Sequence, residues 1–322
     1  MGRPCGQSEL ARRTPRLSDA ASAPGSRMRY EPRRAPRHSR LMLRGVEHHL
    51  TRWGPESGTP WVLLHGWADT GDTFQFVVDA LAGERPILAP DWRGFGRSQW
   101  TGRCYWFADY LADLEALLEQ VCADAPATLL GHSMGANIAS LYAGIRPERV
   151  ARLVNLEGLG MRRTRPEEAP ERYRRWLDEL KTPPAFARYE SLERFAEVLQ
   201  RRNPRLSAER AAFIAASWSR PLPDGGYTVL ADPAHKLVNP VLYRREEAEW
   251  CWRAVTAPVL VVLGGRSELA AHFGAESGEA YLRAAYPNLT LVTMPDAGHM
   301  LHHEQPEAVA GLLESFLDGV PS

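Results

Sequence analysis

The chain has 322 residues, 44% of them hydrophobic, and a formal net charge of zero, which suits a soluble globular fold with a sizeable core and offers no basic footprint for nucleic acid. It contains no run of about 18 apolar residues and no apolar signal core, so neither a membrane span nor secretion is expected. Cys5, Cys104, Cys122 and Cys251 are scattered without C-x-x-C spacing, the usage of reduced cytoplasmic thiols; no disulfide framework, metal site or cofactor is expected.

The neutrality hides an asymmetry. Residues 1–40 hold ten Arg against Glu9, Asp19 and Glu31, a net of 10 − 3 = +7, and the remainder carries 29 basic and 36 acidic groups, a net of −7. This Arg-, Pro- and Ser-rich leader has almost no apolar periodicity and reads as a disordered extension, or as sequence upstream of a start at Met28 or Met42. A targeting peptide is the functional alternative. Gly45 to Trp53 alternates apolar and polar residues and predicts an antiparallel edge strand, with His48 and His49 on its opposite faces.

Continuous apolar runs follow at 61–64, 86–89, 128–130 and 152–156, and again at 259–263 and 289–293, with helical stretches between them. Strands that are apolar on both faces belong to a largely parallel sheet covered by helices, an α/β fold. Residues 107–118 carry apolar positions at helical spacing, and Pro306 opens a final helix through Leu317. Between 161 and 255 the texture changes to charged helical segments at 166–181, 190–202, 207–219 and 244–255, with Trp176, Trp218, Trp250 and Trp252 as packing anchors. The expected organisation is a core of 41–160 and 256–322 with a helical cap of 161–255 over the strand ends, where open α/β sheets keep their sites.

The candidate chemistry starts at Gly131-His132-Ser133-Met134-Gly135, which sits between an apolar strand and a good helix opening. Strand, G-x-S-x-G and helix together describe a nucleophile elbow, which aims a serine hydroxyl from a sharp turn at the head of a helix. A nucleophilic serine needs a base, an acid that orients the base, and amide donors for an oxyanion. His299, on the loop after the last strand, is the candidate base, whereas His302 and His303 read as exposed helix-entry residues and Asp296 as a turn residue. Two carboxylates compete for the acid: Glu157, directly after the 152–156 strand, and Glu268, one residue beyond Ser267, where an aspartate is expected after the 259–263 strand. An acid at an apolar strand terminus is costly unless paired, which favours Glu157. The amides of Met134 and of Trp67, in the turn His65-Gly66-Trp67, are the candidate oxyanion donors, with His65 holding the turn. Trp67, Trp92, Trp100 and Trp106 lie near strand ends or loops, where they suit an acyl pocket or core packing.

Four motifs in this order, His65-Gly66-Trp67, Asp91-Trp92-Arg93-Gly94-Phe95-Gly96-Arg97-Ser98, Gly131–Gly135 and Ala297–Glu307, resemble the α/β-hydrolase superfamily over residues 42–320. The resemblance implies a mostly parallel eight-stranded sheet, a helical cap, a Ser133–His299 pair and a covalent acyl-enzyme. An acid at Glu157 is similar to the arrangement of the haloalkane-dehalogenase-like branch and of serine-hydrolase-like proteins. Dehalogenases and epoxide hydrolases of the superfamily use an aspartate nucleophile, so Ser133 argues against both. The expected activity is hydrolysis of a small or medium carboxylic ester, with a small-molecule substrate and no nucleic-acid or membrane partner. Carbon–carbon bond hydrolysis, thioester cleavage and cofactor-free haloperoxidation use the same constellation, and a receptor-like binding protein is the non-enzymatic alternative.

Overall fold

The computed structural model describes residues 29–319; the leader up to residue 28, with Cys5 and Met28, lies outside the described residues. In chain order the strands are β1 (Arg37–Leu43), β2 (Val46–Trp53), β3 (Trp61–Leu64), β4 (Ile87–Pro90), β5 (Ala127–His132), β6 (Val150–Leu156), β7 (Arg188–Tyr189), β8 (Ser219–Pro221), β9 (Tyr227–Val229), β10 (Val259–Gly264) and β11 (Leu289–Met294). The helices are α1 (Gln75–Ala80), α2 (Phe107–Val121), α3 (Met134–Ile145), α4 (Ala169–Lys181), α5 (Leu192–Arg202), α6 (Ala208–Ser217), α7 (Arg245–Arg253), α8 (Glu268–Phe273), α9 (Glu279–Ala285), α10 (Leu301–Glu304) and α11 (Pro306–Leu317).

Eight strands form one sheet in the order β1-β2-β4-β3-β5-β6-β10-β11. The pairs β1–β2 and β2–β4 are antiparallel and the rest parallel. The apolar runs are continuous because both faces are covered. Along β10, Val259, Val261 and Leu263 pack with the α2, α3 and α9 side, and Leu260 and Val262 pack with the α1 and α11 side. Each such side chain contributes about 1.5–3 kcal/mol on burial.

The sheet begins earlier than the sequence pattern indicates. Residues 45–53 are not the edge; β1 pairs outside them in the register Arg37↔Arg52 to Leu43↔Val46. The hairpin turn is Arg44-Gly45 with φ of 50° and 77°, two positive values that match the right-handed twist of the strands. Arginines on an edge strand blunt edge-to-edge pairing, and here they also disguise the strand as leader. The segment before it is anchored too. Tyr30 donates to Asp79 Oδ2 at 2.8 Å and packs its ring 4.8 Å from that of Phe76, and the Arg34 amide donates to Asp79 Oδ1 at 2.8 Å. Residues 29–40 therefore belong to the folded body, and the leader expected over 1–40 is too long by at least that stretch.

The segment between β6 and β10 contains α4 to α7 and, beyond the helices the sequence suggests, a small antiparallel sheet in the order β7-β9-β8. Strands of two or three residues carry no readable period. Of the four expected tryptophan anchors, Trp252 is buried but Trp250 is 70% exposed. His235 from this segment is sandwiched between Phe95 and Tyr105, with ring centroids 3.6 and 3.7 Å away. Burial drives its pKa down to about 3, so it sits there as a neutral, stacked ring.

Beneath the sheet edge, Arg93 grips Asp113 through Nε and Nη2, and His48 Nε2 lies 3.3 Å from the same carboxylate. Burial alone would raise the Asp113 carboxyl; His48 and the Arg93 guanidinium outweigh it and hold the pKa below the usual value. The unfolded value is about 3.9. The stabilisation is therefore complete above that pH and is lost as pH falls through the folded value. Replacing Arg93 by Met leaves a buried carboxylate short of its main partner, and such a break costs about 3–5 kcal/mol. Thermal melts by circular dichroism across pH should show the wild-type midpoint falling first below about pH 6.5, where the unfolded chain protonates histidines that burial keeps neutral, His235 and His65 among them, and further below about pH 4 as Asp113 loses its charge, with Arg93→Met lower throughout and shallower in the second range.

Candidate active site

β5 runs out at His132, and Ser133 is the N-cap of α3 with φ 51° and ψ −113°. A non-glycine residue in this region is strained by about 1–3 kcal/mol. The flanking glycines make the bend fit. A Cβ on Gly131 would stand 2.4 Å from the Ala136 nitrogen, and one on Gly135 would stand 2.1 Å from the Leu64 carbonyl oxygen. Gly135→Ala must therefore push α3 off the end of β3. We expect a loss of at least about 1–3 kcal/mol in denaturant titration, together with loss of activity.

Ser133 Oγ lies 3.1 Å from His299 Nε2, and His299 Nδ1 lies 3.2 Å from Glu157 Oε2. The His299 side chain is 32% exposed and that of Glu157 fully buried. Glu157 also accepts from the Gly264 amide at 2.6 Å and the Ser267 hydroxyl at 2.5 Å. Its own backbone takes φ 60°. The turn that imposes this is clamped by Asn155, which accepts from the Gly158 amide at 2.7 Å and donates to the Gly158 carbonyl at 2.9 Å. Asn137 of α3 accepts from the Gly160 amide at 2.8 Å.

The rival acid lies elsewhere. Glu268 is exposed at the first position of α8, and Ser267 is buried. β6 and β10 are hydrogen-bonded neighbours, with Leu156 opposite Val262. The ends of these two strands border one spot, so a carboxylate can reach His299 from either. Here β6 supplies the carboxylate and β10 supplies a hydroxyl donor. The role of Ser267 was invisible in the sequence, although its position at the expected aspartate, with an acid at the end of the other strand, is the signal for it.

On the opposite side of Ser133, the turn after β3 is held by His65. Its Nε2 accepts from the Trp92 amide at 2.9 Å, Nδ1 stands 2.7 Å from the Gly66 carbonyl, and the Trp92 indole donates to the His65 carbonyl at 3.0 Å. Burial lowers the His65 pKa, consistent with a neutral ring that donates at one nitrogen and accepts at the other. Gly66 faces the elbow closely; a Cβ there would lie 3.3 Å from Ser133 Cβ. No hydrogen bond among the described residues uses the amides of Trp67 or Met134. Trp67 is half exposed and rests on Phe95 and on Phe186, with centroids 6.4 and 5.9 Å apart. Trp106 is also exposed, whereas Trp92 is core, and Trp100 lies under the Arg220 guanidinium.

The motif at 91–98 is a staple. Asp91 accepts from the Gly71 amide at 2.7 Å and the Arg97 amide at 2.9 Å, and stands 3.0 Å from His49 Nδ1. The loop that carries His299 is held from below, where Glu304 accepts from the Gly298 amide at 2.7 Å and His132 Nε2 is 2.9 Å from the His299 carbonyl. His302 and His303 are not exposed helix-entry residues; they are 0% and 2% exposed. They turn inward because α10 is a single turn wedged under the elbow. Asp296 is a surface residue paired with Arg266 at 3.0 Å.

The family model for the alpha/beta hydrolase fold matches residues 59–306. A serine hydrolase-like protein of Danio rerio is 27% identical over 294 residues, covering 88% of this chain and 89% of its own. A 2-(acetamidomethylene)succinate hydrolase of Mesorhizobium japonicum is 27% identical over 262 residues, covering 81% and 89%. Among solved structures, the thioesterase domain from the curacin biosynthetic pathway superposes with a TM-score of 0.78 at 24% identity, over 87% of this chain and 99% of that one; this is a likeness of fold.

Proposed function

This chain belongs to the α/β-hydrolase fold family and is a hydrolase, and on that premise we propose that it cleaves small or medium carboxylic esters through an acyl-enzyme on Ser133. The observation that carries this reading is the continuous line from Ser133 Oγ through His299 to Glu157, with spacings of 3.1 and 3.2 Å. His299 Nε2 takes the serine proton as the oxygen attacks the ester carbonyl. Glu157 holds Nδ1–H and stabilises the positive charge that develops on the ring. The unengaged amides of Trp67 and Met134 receive the oxyanion, each such donor being worth about 3 kcal/mol in the transition state. His299 then returns the proton to the leaving alcohol, and water repeats the sequence on the acyl-enzyme.

The half-exposed Trp67, packed on Phe186 beside the oxyanion turn, favours an apolar acyl group. A cytoplasmic setting rests on the cysteine usage of the sequence, four residues scattered without C-x-x-C spacing. Among the described residues no helix is long and apolar enough to cross a membrane. The test is a series of p-nitrophenyl esters from acetate to palmitate, with a thioester and a β-diketone as comparison substrates. The reading predicts that kcat/KM peaks at short or medium acyl length and exceeds that for both comparison substrates. A preference for the thioester or the diketone over every ester contradicts it.

A further inference from the structure

Directly beneath the elbow, Asp69, His302 and His303 converge with all three side chains buried. Asp69 Oδ1 is saturated: it accepts from the Thr70 amide at 2.7 Å, the Thr73 hydroxyl at 2.7 Å and the Trp218 indole at 2.6 Å. Its other oxygen has no partner. Oδ2 stands 3.6 Å from His302 Nε2 and 3.7 Å from His303 Nε2, too far for a hydrogen bond in either case. Both nitrogens of His302, Nε2 of His303 and Nδ1 of the adjoining His132 are likewise buried without a partner. His132 and His302 have ring centroids 4.1 Å apart. Buried polar atoms are almost always satisfied, so five orphans in one cluster mark a place shaped for something else.

We propose that Asp69 Oδ2, His302 Nε2 and His303 Nε2 form a binding site for a divalent transition-metal cation of the zinc class. Two ligands about 2.0–2.1 Å from such an ion, at the tetrahedral angle, stand about 3.3–3.4 Å apart. The carboxylate-to-imidazole separations here exceed that edge by only a few tenths of an ångström. Two imidazoles and a carboxylate are a donor set that suits zinc. The Asp69 oxygen pointing away from the site is fixed by three donors, the outer support that orients a metal-ligating carboxylate.

The site would fasten the turn that carries Trp67 to α10, which begins two residues after His299, and so brace the loops of Trp67 and His299 from below. Nothing in the local sequence announces it, because Asp69 comes from the opposite end of the chain to His302 and His303.

The test uses the full chain in a Cys104→Ser background, which removes the exposed thiol among the described residues, incubated with Co²⁺ or Zn²⁺ and then freed of loose metal. The expected result is one bound equivalent, the intense visible absorption of tetrahedral Co²⁺, and a Zn²⁺-dependent rise in thermal midpoint. Asp69→Asn and His303→Gln should each weaken binding at least about 100-fold, while His272→Gln on the exposed surface should leave it unchanged. Absence of both the absorption and the midpoint shift in the parent protein overturns the site, as does their persistence in both ligand variants. Should either variant fail to fold, X-ray absorption on the zinc-loaded parent decides. Two imidazoles and one carboxylate support the site, and a shell of water or sulfur overturns it.

Discussion

Ser133→Ala should lower kcat on the best ester by about 10⁶ while leaving the fold and its melting temperature close to those of the parent. The size follows from what the hydroxyl does. On the proposed mechanism no acyl-enzyme forms without Oγ, and the remaining rate is what the oxyanion amides and substrate binding supply to direct attack by water. The fold should persist because the strain at φ 51° is a backbone property that alanine meets as serine does, and the residue is the N-cap of α3 without a side-chain capping bond. If serine and histidine act as one unit, as proposed, the double variant Ser133→Ala/His299→Ala should lose little beyond either single change. Pre-steady-state kinetics check both points, the burst of released alcohol disappearing in each. Independent, multiplying losses would mean that the two side chains do not share a step.

Glu157→Gln should lower kcat by about 10⁴, or about 5.5 kcal/mol. The amide can present its NH₂ to His299 and favour the wrong tautomer, and it cannot balance the imidazolium. It must also satisfy the Gly264 amide and the Ser267 hydroxyl with one oxygen instead of two, so some loss of stability accompanies the loss of rate. Glu268→Gln, at an exposed helix start, should stay within about 0.5 kcal/mol of the parent in stability and close to it in rate. Parallel kcat measurements on the two variants decide between the carboxylates, and a greater loss in Glu268→Gln would reverse the assignment.

These two carboxylates also mark the limit of what the sequence discloses. Ser133 and His299 are legible because each follows an apolar strand and precedes a helix, so topology alone carries them to one sheet edge. The acid is less legible, since β6 and β10 end side by side and either can serve; pairing, which a linear sequence does not display, is what separates Glu157 from Glu268. The parallel core strands are readable from their two-sided apolar runs. β1 is not, because its arginines face solvent and merge with the leader. The small sheet of β7, β8 and β9 escapes because its strands are shorter than any period. His302 and His303 look like surface residues in a polar string, and only the wedge of α10 beneath the elbow turns them into the core.

The most direct measurement is reaction of the folded protein with a fluorophosphonate, followed by peptide mass spectrometry. One stoichiometric adduct on Ser133 is expected, absent after denaturation and in Ser133→Ala, and formed far more slowly in His299→Ala. An intact protein that hydrolyses esters yet leaves Ser133 unmodified, or carries the adduct on another residue, would contradict Ser133 as the nucleophile.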